Sequence, residues 1–349
     1  MSSSFFLAVT TMSDAIDLTQ ERRKYTPKAD LDEVRRNYDY DMEKFLTYSS
    51  TRDINPDPAA LTSYLVSAYH SLEKGLAMEV PKAGFGLRKI RPILAAIAEL
   101  ESSGKASVAT RGARGCMRAY VQYHDDRGLP LPIEVETELR ALVAGMGAAD
   151  YPGGSITLNR KEIEEATLFD YDRFIQTRCS VRHFTGESVS PEDIKKAVQR
   201  AIKTPRTCNR EMRRVYAAYD PELRNYLLSY HNGNRGFGHK LGAVLVVTVD
   251  LREFDMIGER NQGWIDGGLF AMSLVYALHA GHLGTCMLNW SEDYVRDQRL
   301  RDAFQIPDHE IIITFIGVGH LPESFEVAAS PAPSADEVLS IIAVRPSGS

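Results

Sequence analysis

The chain has 349 residues, 44% of them hydrophobic and 25% charged, with a formal net charge of −6. That length suits one large or two modest domains and excludes a fibrous or disordered chain. An acidic chain without a basic run is no general nucleic-acid binder, so any anion it takes must be held by a local site. Residues 1 to about 30 read as a polar, frayed start. Their apolar run, Phe5 to Val9, is too short for a signal-peptide core and lacks a basic flank. No stretch reaches the ~18 apolar residues of a membrane span. The four cysteines, Cys116, Cys179, Cys208 and Cys286, form no C-x-x-C, which fits a reducing compartment. These features predict a cytoplasmic protein without membrane, nucleic-acid or metal partners.

In chain order, Leu31, Val34, Tyr38, Met42 and Phe45 recur at helical spacing. After NPDP at 55–58, Leu61, Tyr64, Leu65, Ala68, Tyr69 and Leu72 mark a second amphipathic helix that ends near Gly75. Residues 86–100 predict a third. Residues 108–125 predict a fourth, weakened by Gly112 and Gly115. YPGGS at 151–155 is a turn-rich boundary, followed by a short helix over 160–176. The spacing thus predicts a helical region over 1–165 and a mixed region over 166–349. In the second region Ser190 caps a helix over 191–203 with Pro191 at its first position. RVYAAY (214–219), AVLVVTV (243–249) and EIIITFIGV (310–318) read as strands. Residues 264–281 form an almost wholly apolar helix, predicted to be buried. A last apolar run spans Val338 to Val344.

Three stretches carry candidate chemistry. In TRCSVRHF (177–184), Arg178 and Arg182 bracket Ser180. Arginine keeps its charge and offers fixed donors suited to phosphate, so the stretch is either a solvated surface turn or an anion cradle. In TPRTCNRE (204–211), Pro205 and Asn209 punctuate a turn. Asn209 offers both a donor and an acceptor to a heterocycle, or is an ordinary loop asparagine. In HAGHLGTCMLNW (279–290), the chain turns through Gly281 and Gly284, where freed backbone N–H groups can point at a ligand. His279 and His282 lack a carboxylate at ligand spacing and read as helix-end histidines, not as a metal pair.

Taken in this order, these stretches resemble the nitroreductase family of FMN-dependent flavoproteins, over about Phe169 to Leu339. Arg178, Ser180, Arg182 and Phe184 match its R-x-S-x-R/K-x-F motif. Thr204, Pro205 and Asn209 match its central loop. Leu283, Gly284, Thr285 and Cys286 match its L-G-x-G-S/T-C motif, and residues 316–323 match its closing strand. The resemblance implies an α+β fold with a mainly antiparallel central sheet and a buried central helix, here preceded by a helical N-terminal region. It implies FMN, with NAD(P)H as electron donor to a small organic acceptor. It also implies a homodimer with FMN at the subunit interface, embraced by the C-terminal tail. Arg178 and Ser180, with Cys179 between them, would hold the phosphate. Arg182 would lie by the flavin N1–O2 edge. Pro205, Arg206 and Asn209 would meet this or the partner's flavin, and the backbone around Met287, Leu288, Asn289 and Trp290 would lie near N5.

The sequence departs from the family in two places. Glu211, Met212 and Arg213 stand where relatives carry Q-P-W. The segment VAASPAPSADE after the last strand has no basic residue where many relatives supply one to the phosphate; Arg206, Arg210 and Arg235 are candidates to replace it. YHSLEKGLAMEVPKAGFG (69–86) looks like an N-terminal extension found in a subset of these proteins. His70, Glu73 and Lys74 share one helix face by spacing, either as an acid–base set or as a packed histidine beside two solvated charges. Three other readings stay open. They are a flavin oxidase or dehydrogenase of a biosynthetic intermediate, a fold relative that has lost FMN and acts as a binding partner, and an enzyme with another cofactor or none that uses the His70 group.

Overall fold

The computed structural model describes residues 29–147, 150–151 and 153–343. The predicted polar start with its Phe5–Val9 run, and the end of the Val338–Val344 run, lie outside the described residues. The chain divides into two compact units at Glu43/Lys44. The described part of the first unit is mainly the start of helix α1 (Leu31–Tyr48).

The second unit begins with four helices: α2 (Pro58–Leu76), α3 (Leu87–Ser102), α4 (Val108–Asp126) and α5 (Glu136–Ala144). Asp57 caps α2 by accepting from the Ala59 N–H, with Pro58 at the first position. Leu65, Leu72, Ile90, Ile93, Ala113, Met117, Tyr120 and Leu139 join in one apolar cluster. The glycines of this region permit close approach. A Cβ on Gly112 would sit 2.9 Å from the Tyr69 hydroxyl, and one on Gly75 would enter the Phe85 ring. α2 ends at Leu76, one residue past Gly75, close to where the sequence places its end.

The helix predicted over 160–176 is two short ones, α6 (Arg160–Ala166) and α7 (Tyr171–Thr177). Asp170 restarts the chain by accepting from the Arg173 N–H. Then come α8 (Pro191–Ala201), β1 (Arg213–Ala218), α9 (Pro221–Ser229), β2 (Ala243–Asp250), α10 (Gln262–His279), β3 (Leu283–Asn289), α11 (Tyr294–Phe304), β4 (Glu310–His320) and α12 (Ala335–Val338). The four strands form one antiparallel sheet in the order β1-β2-β4-β3. β2 is buried throughout, as its unbroken apolar run requires. The fold is α+β with a helical N-terminal region, as the sequence predicts.

α10 packs on the sheet through Phe270, Ala271, Leu274, Val275 and Leu278. It is not buried all round. Trp264, Ile265 and Leu269 are 45%, 52% and 48% exposed in the single chain, so an apolar stripe faces outward. No helix among the described residues is long and apolar enough to cross a membrane.

Candidate functional site

The segment after α7 is not a helix turn. It runs extended beside β3, with Ser180 bridged in parallel to Thr285 and the Val181 N–H donating to the Thr285 carbonyl at 2.8 Å. Val181 and Phe184 are buried, Ser180 and Arg182 are exposed, and Arg178 is half-buried at the end of α7. Phe184 locks the register. Gly284 and Gly319 face each other across β3 and β4. A Cβ on Gly319 would meet the Phe184 ring at 2.7 Å, and one on Gly284 would meet it at 3.2 Å. The paired glycines are thus the seat of the motif phenylalanine.

Most arginines near the sheet are committed inside the chain. Arg210 pairs with Glu259, Arg213 with Glu211 at 2.8 Å, Arg252 with Asp250 at 2.7 Å, and Arg301 with Asp297 at 2.6 Å. The guanidiniums of Arg178 and Arg182 form no ion pair or hydrogen bond among the described residues, and neither does the Ser180 hydroxyl. Arg178 lies close enough to His279 for its charge to act there: burial holds His279 below the usual histidine range, and the guanidinium pushes the same way. The Thr177 hydroxyl is 3.0 Å from His279 Nε2. Arg182 lies beside β3, where burial raises the Cys286 thiol and the guanidinium opposes it. Two uncommitted guanidiniums and a hydroxyl within five residues are a donor set that suits an anion such as a phosphate.

β3 supplies an edge beyond the bridge. The Thr285 carbonyl points away from β4, and the Leu288 carbonyl accepts from the Thr314 hydroxyl of β4 at 3.0 Å. Residues alternate along the strand, so Met287 and Asn289 turn their N–H groups to the open edge and Leu288 turns its own toward β4. The Asn289 carbonyl is 2.9 Å from His231 Nε2. The Trp290 ring stacks on Phe315 at 5.1 Å, and its Nε1 donates to Asp297 at 2.8 Å.

The Asn209 loop lies at the other end of α10. The Thr207 N–H donates to Asp266 at 2.9 Å, thirteen residues before His279 on the same helix. At ~1.5 Å per residue that is about 20 Å along the axis. Within one chain, therefore, the Arg178 face and the Asn209 turn are not brought together. The turn Thr207–Asn209 is tight, and Cys208 and Asn209 adopt left-handed φ of 51° and 60° in succession. Asparagine tolerates that conformation; cysteine does so at a cost. Arg206 Nε donates to the Asn209 carbonyl at 3.0 Å and holds the turn. Pro205, just before it, is exposed. The Asn209 amide has no partner among the described residues.

Of the cations considered for the phosphate, Arg210 is only 1% exposed and committed to Glu259. Arg235 is exposed, and Cys179 is half-buried behind the strand. Glu211 and Arg213, which replace the family's loop residues, form a bidentate pair. Arg213 also donates to the Thr204 and Ile202 carbonyls and lies 4.7 Å over the Phe270 ring. Met212 is fully buried in the apolar cluster with Phe45 and Phe254. The departure is thus a structural fastening of the loop.

α2 packs against the Thr207–Asn209 turn and the Leu251–Glu253 turn. On it, His70 Nδ1 lies 3.0 Å from Glu73 Oε2, and Lys74 is exposed outside the pair. Burial pushes the Glu73 carboxyl above the usual carboxylate range, partly offset by His70. The sequence marked these residues, but α2's contact with the Asn209 turn had no local signal.

Residues 175–235 match the family model described as Nitroreductase family. No curated protein matches the chain. Among solved structures, a nitroreductase family protein from Streptococcus pneumoniae is 17% identical, covering 50% of this chain and 100% of that one, with a TM-score of 0.42. An FMN-dependent nitroreductase from Clostridium difficile is 18% identical, covering 49% and 98%, with a TM-score of 0.41. The segment with Arg178, Ser180 and Arg182 and the turn with Asn209 both fall inside the stretch, 175–235, that matches the Nitroreductase family model.

Proposed function

We propose that this protein is an FMN-dependent oxidoreductase of nitroreductase type, passing electrons from NAD(P)H to a small organic acceptor, and that it works as a homodimer. The observation that carries this reading is that the side chains of Arg178, Ser180 and Arg182, within five residues at the edge of β3, make no ion pair or hydrogen bond among the described residues, in a chain that pairs most of its neighbouring arginines. Arg178 and Ser180 would hold the FMN phosphate, with His279 beside them as a neutral hydrogen-bonding neighbour. Arg182 would lie by the flavin N1–O2 edge, where a fixed cation stabilises developing negative charge. The open-edge N–H groups of Met287 and Asn289 would address the ring. When bound, FMN supplies the two-electron chemistry; the chain supplies position and charge.

The dimer reading has two supports. The Asn209 turn stands about 20 Å along α10 from the Arg178 end, so Asn209 would serve the partner's flavin. The outward stripe of Trp264, Ile265 and Leu269 is the apolar surface a second copy would cover, and the tail adds Leu339, Ile341 and Ile342, which are 73–97% exposed. We also propose residues 1–165 and 166–349 as the two functional divisions, the first supplying α2 to the Asn209 turn.

One observation favours a second reading, a fold relative without FMN: the exposed segment 327–337 carries no cation. Titration of the purified protein with FMN separates the two. Saturable binding at one FMN per chain supports the flavoenzyme, and no binding at micromolar FMN supports the alternative.

A further inference from the structure

β3 is an edge strand of the sheet, and two contacts bound its free edge. At one end the Val181 N–H donates to the Thr285 carbonyl at 2.8 Å. At the other, His231 Nε2 lies 2.9 Å from the Asn289 carbonyl. The Met287 and Asn289 N–H groups lie between them. His231 is built into its place. It follows α9 by two residues and is 7% exposed. Nδ1 accepts from the Gly233 N–H at 2.8 Å, so Nε2 is the nitrogen that donates to Asn289. The ring packs beside Phe315 and Trp290, with centroids 5.6 and 6.3 Å away. Asn234 Nδ2 donates to the Leu228 and His231 carbonyls, both at 2.8 Å, and ties this loop to the end of α9. A Cβ on Gly233 would sit 2.8 Å from His231 Cε1, so the glycine leaves room for the ring.

Asn289 is thus held on both sides. The peptide before it is fixed by the Thr314 hydroxyl on the Leu288 carbonyl at 3.0 Å, and the peptide after it by His231. In a wider sheet a further strand would satisfy the Asn289 carbonyl. Here a side chain does so, and it leaves the N–H next to it uncovered.

We propose that His231 is a positioning residue for the flavin ring: by donating to the Asn289 carbonyl, it fixes the direction in which the Asn289 N–H meets an acceptor atom of the ring. The proposal rests on the flavin reading above. His231 moves no proton and acts through the Asn289 backbone. Its hydrogen bond is already made in the flavin-free chain, so the strand end is ordered before the ring arrives. A donor that is ordered beforehand gives more affinity than one that binding must order.

The test titrates the stripped full-length chain with FMN and records the visible absorption band of the bound flavin. His231→Phe keeps an aromatic ring beside Phe315 and Trp290 and removes the donor. It should weaken FMN binding about 3- to 10-fold, the scale of one hydrogen bond, and shift the band. His231→Gln keeps an N–H donor and should restore both affinity and band. Gly233→Ala crowds the ring without altering its chemistry and should behave as His231→Phe does. In the flavin-free protein, the imidazole nitrogen NMR signals, assigned by their loss in His231→Phe, should show the proton of the neutral ring on Nε2. A proton on Nδ1 in its place overturns the proposal. So does wild-type affinity and band in His231→Phe, an affinity loss there without a band shift, or a His231→Gln variant as impaired as His231→Phe. In each of these cases the wild type still binds FMN and the flavin reading stands. A wild type that binds no FMN overturns both.

Discussion

Ser180 pairs in parallel with Thr285, and this one bridge lays the strand carrying Arg178 and Arg182 along the free edge of β3. The two arginines flank the bridged serine, two residues to either side of it.

Arg178→Ala therefore removes a charged donor from the phosphate end. A hydrogen bond to a charged group contributes about 1.5–3 kcal/mol, so FMN affinity should fall about 10- to 100-fold in a fluorescence titration. Arg182→Ala should leave affinity less affected and chiefly slow reduction of the bound flavin in stopped flow. Wild-type behaviour in both variants would remove these residues from the site.

Gly319→Ala tests the seat of Phe184. The new Cβ would lie 2.7 Å from the ring, so the motif strand must shift or the ring must leave its place. Overpacking of this kind costs about 1–3 kcal/mol, which should appear as a lower urea midpoint, and FMN affinity should fall with it. An unchanged midpoint would mean that Phe184 does not fix the strand.

Much of this arrangement was legible in the sequence. The strands β1, β2 and β4 announce themselves by apolar runs, and Pro191 after Ser190 marks α8. β3 was hidden because LGTCMLN combines a glycine with small and polar residues and follows His282, so it reads as a turn. Its strand character comes from pairing with β4, a long-range cause. α9 and α11 were hidden by charge: YVRDQRLRDAF buries chiefly Leu300 and the Asp297–Arg301 pair. The Asp220–Pro221 step before α9 was a usable start signal. The site motifs were visible as residue types. Their separation along α10 was not, because nothing local states which end of a helix a loop will meet.

Glu253 gives the protein a pH dependence of its own. The residue is 7% exposed, and burial, reinforced by Asp250, pushes its carboxyl up to about 7. The folded state then binds a proton that the unfolded state releases near pH 4.5, so this contribution to stability falls as pH rises from about 4.5 to about 7. Glu253→Gln removes the titration. Relative to the wild type it should gain up to roughly 3 kcal/mol between pH 5 and pH 8 in urea melts. A difference between the two proteins that does not vary with pH would refute the assignment.

Leu269→Glu places a charge in the outward stripe of α10, between Ile265 and Met272. Light scattering should give the wild type at twice the chain mass of 39.0 kDa and the variant at the single-chain mass. A wild type already at 39.0 kDa would contradict the dimer reading.

The most direct measurement is the visible spectrum of the purified protein, with identification of the released pigment and add-back of FMN to the stripped chain. The account predicts a yellow protein holding one FMN per chain, rebinding added FMN, and losing this binding in Arg178→Ala. A colourless protein that takes up no FMN at micromolar concentration would contradict it.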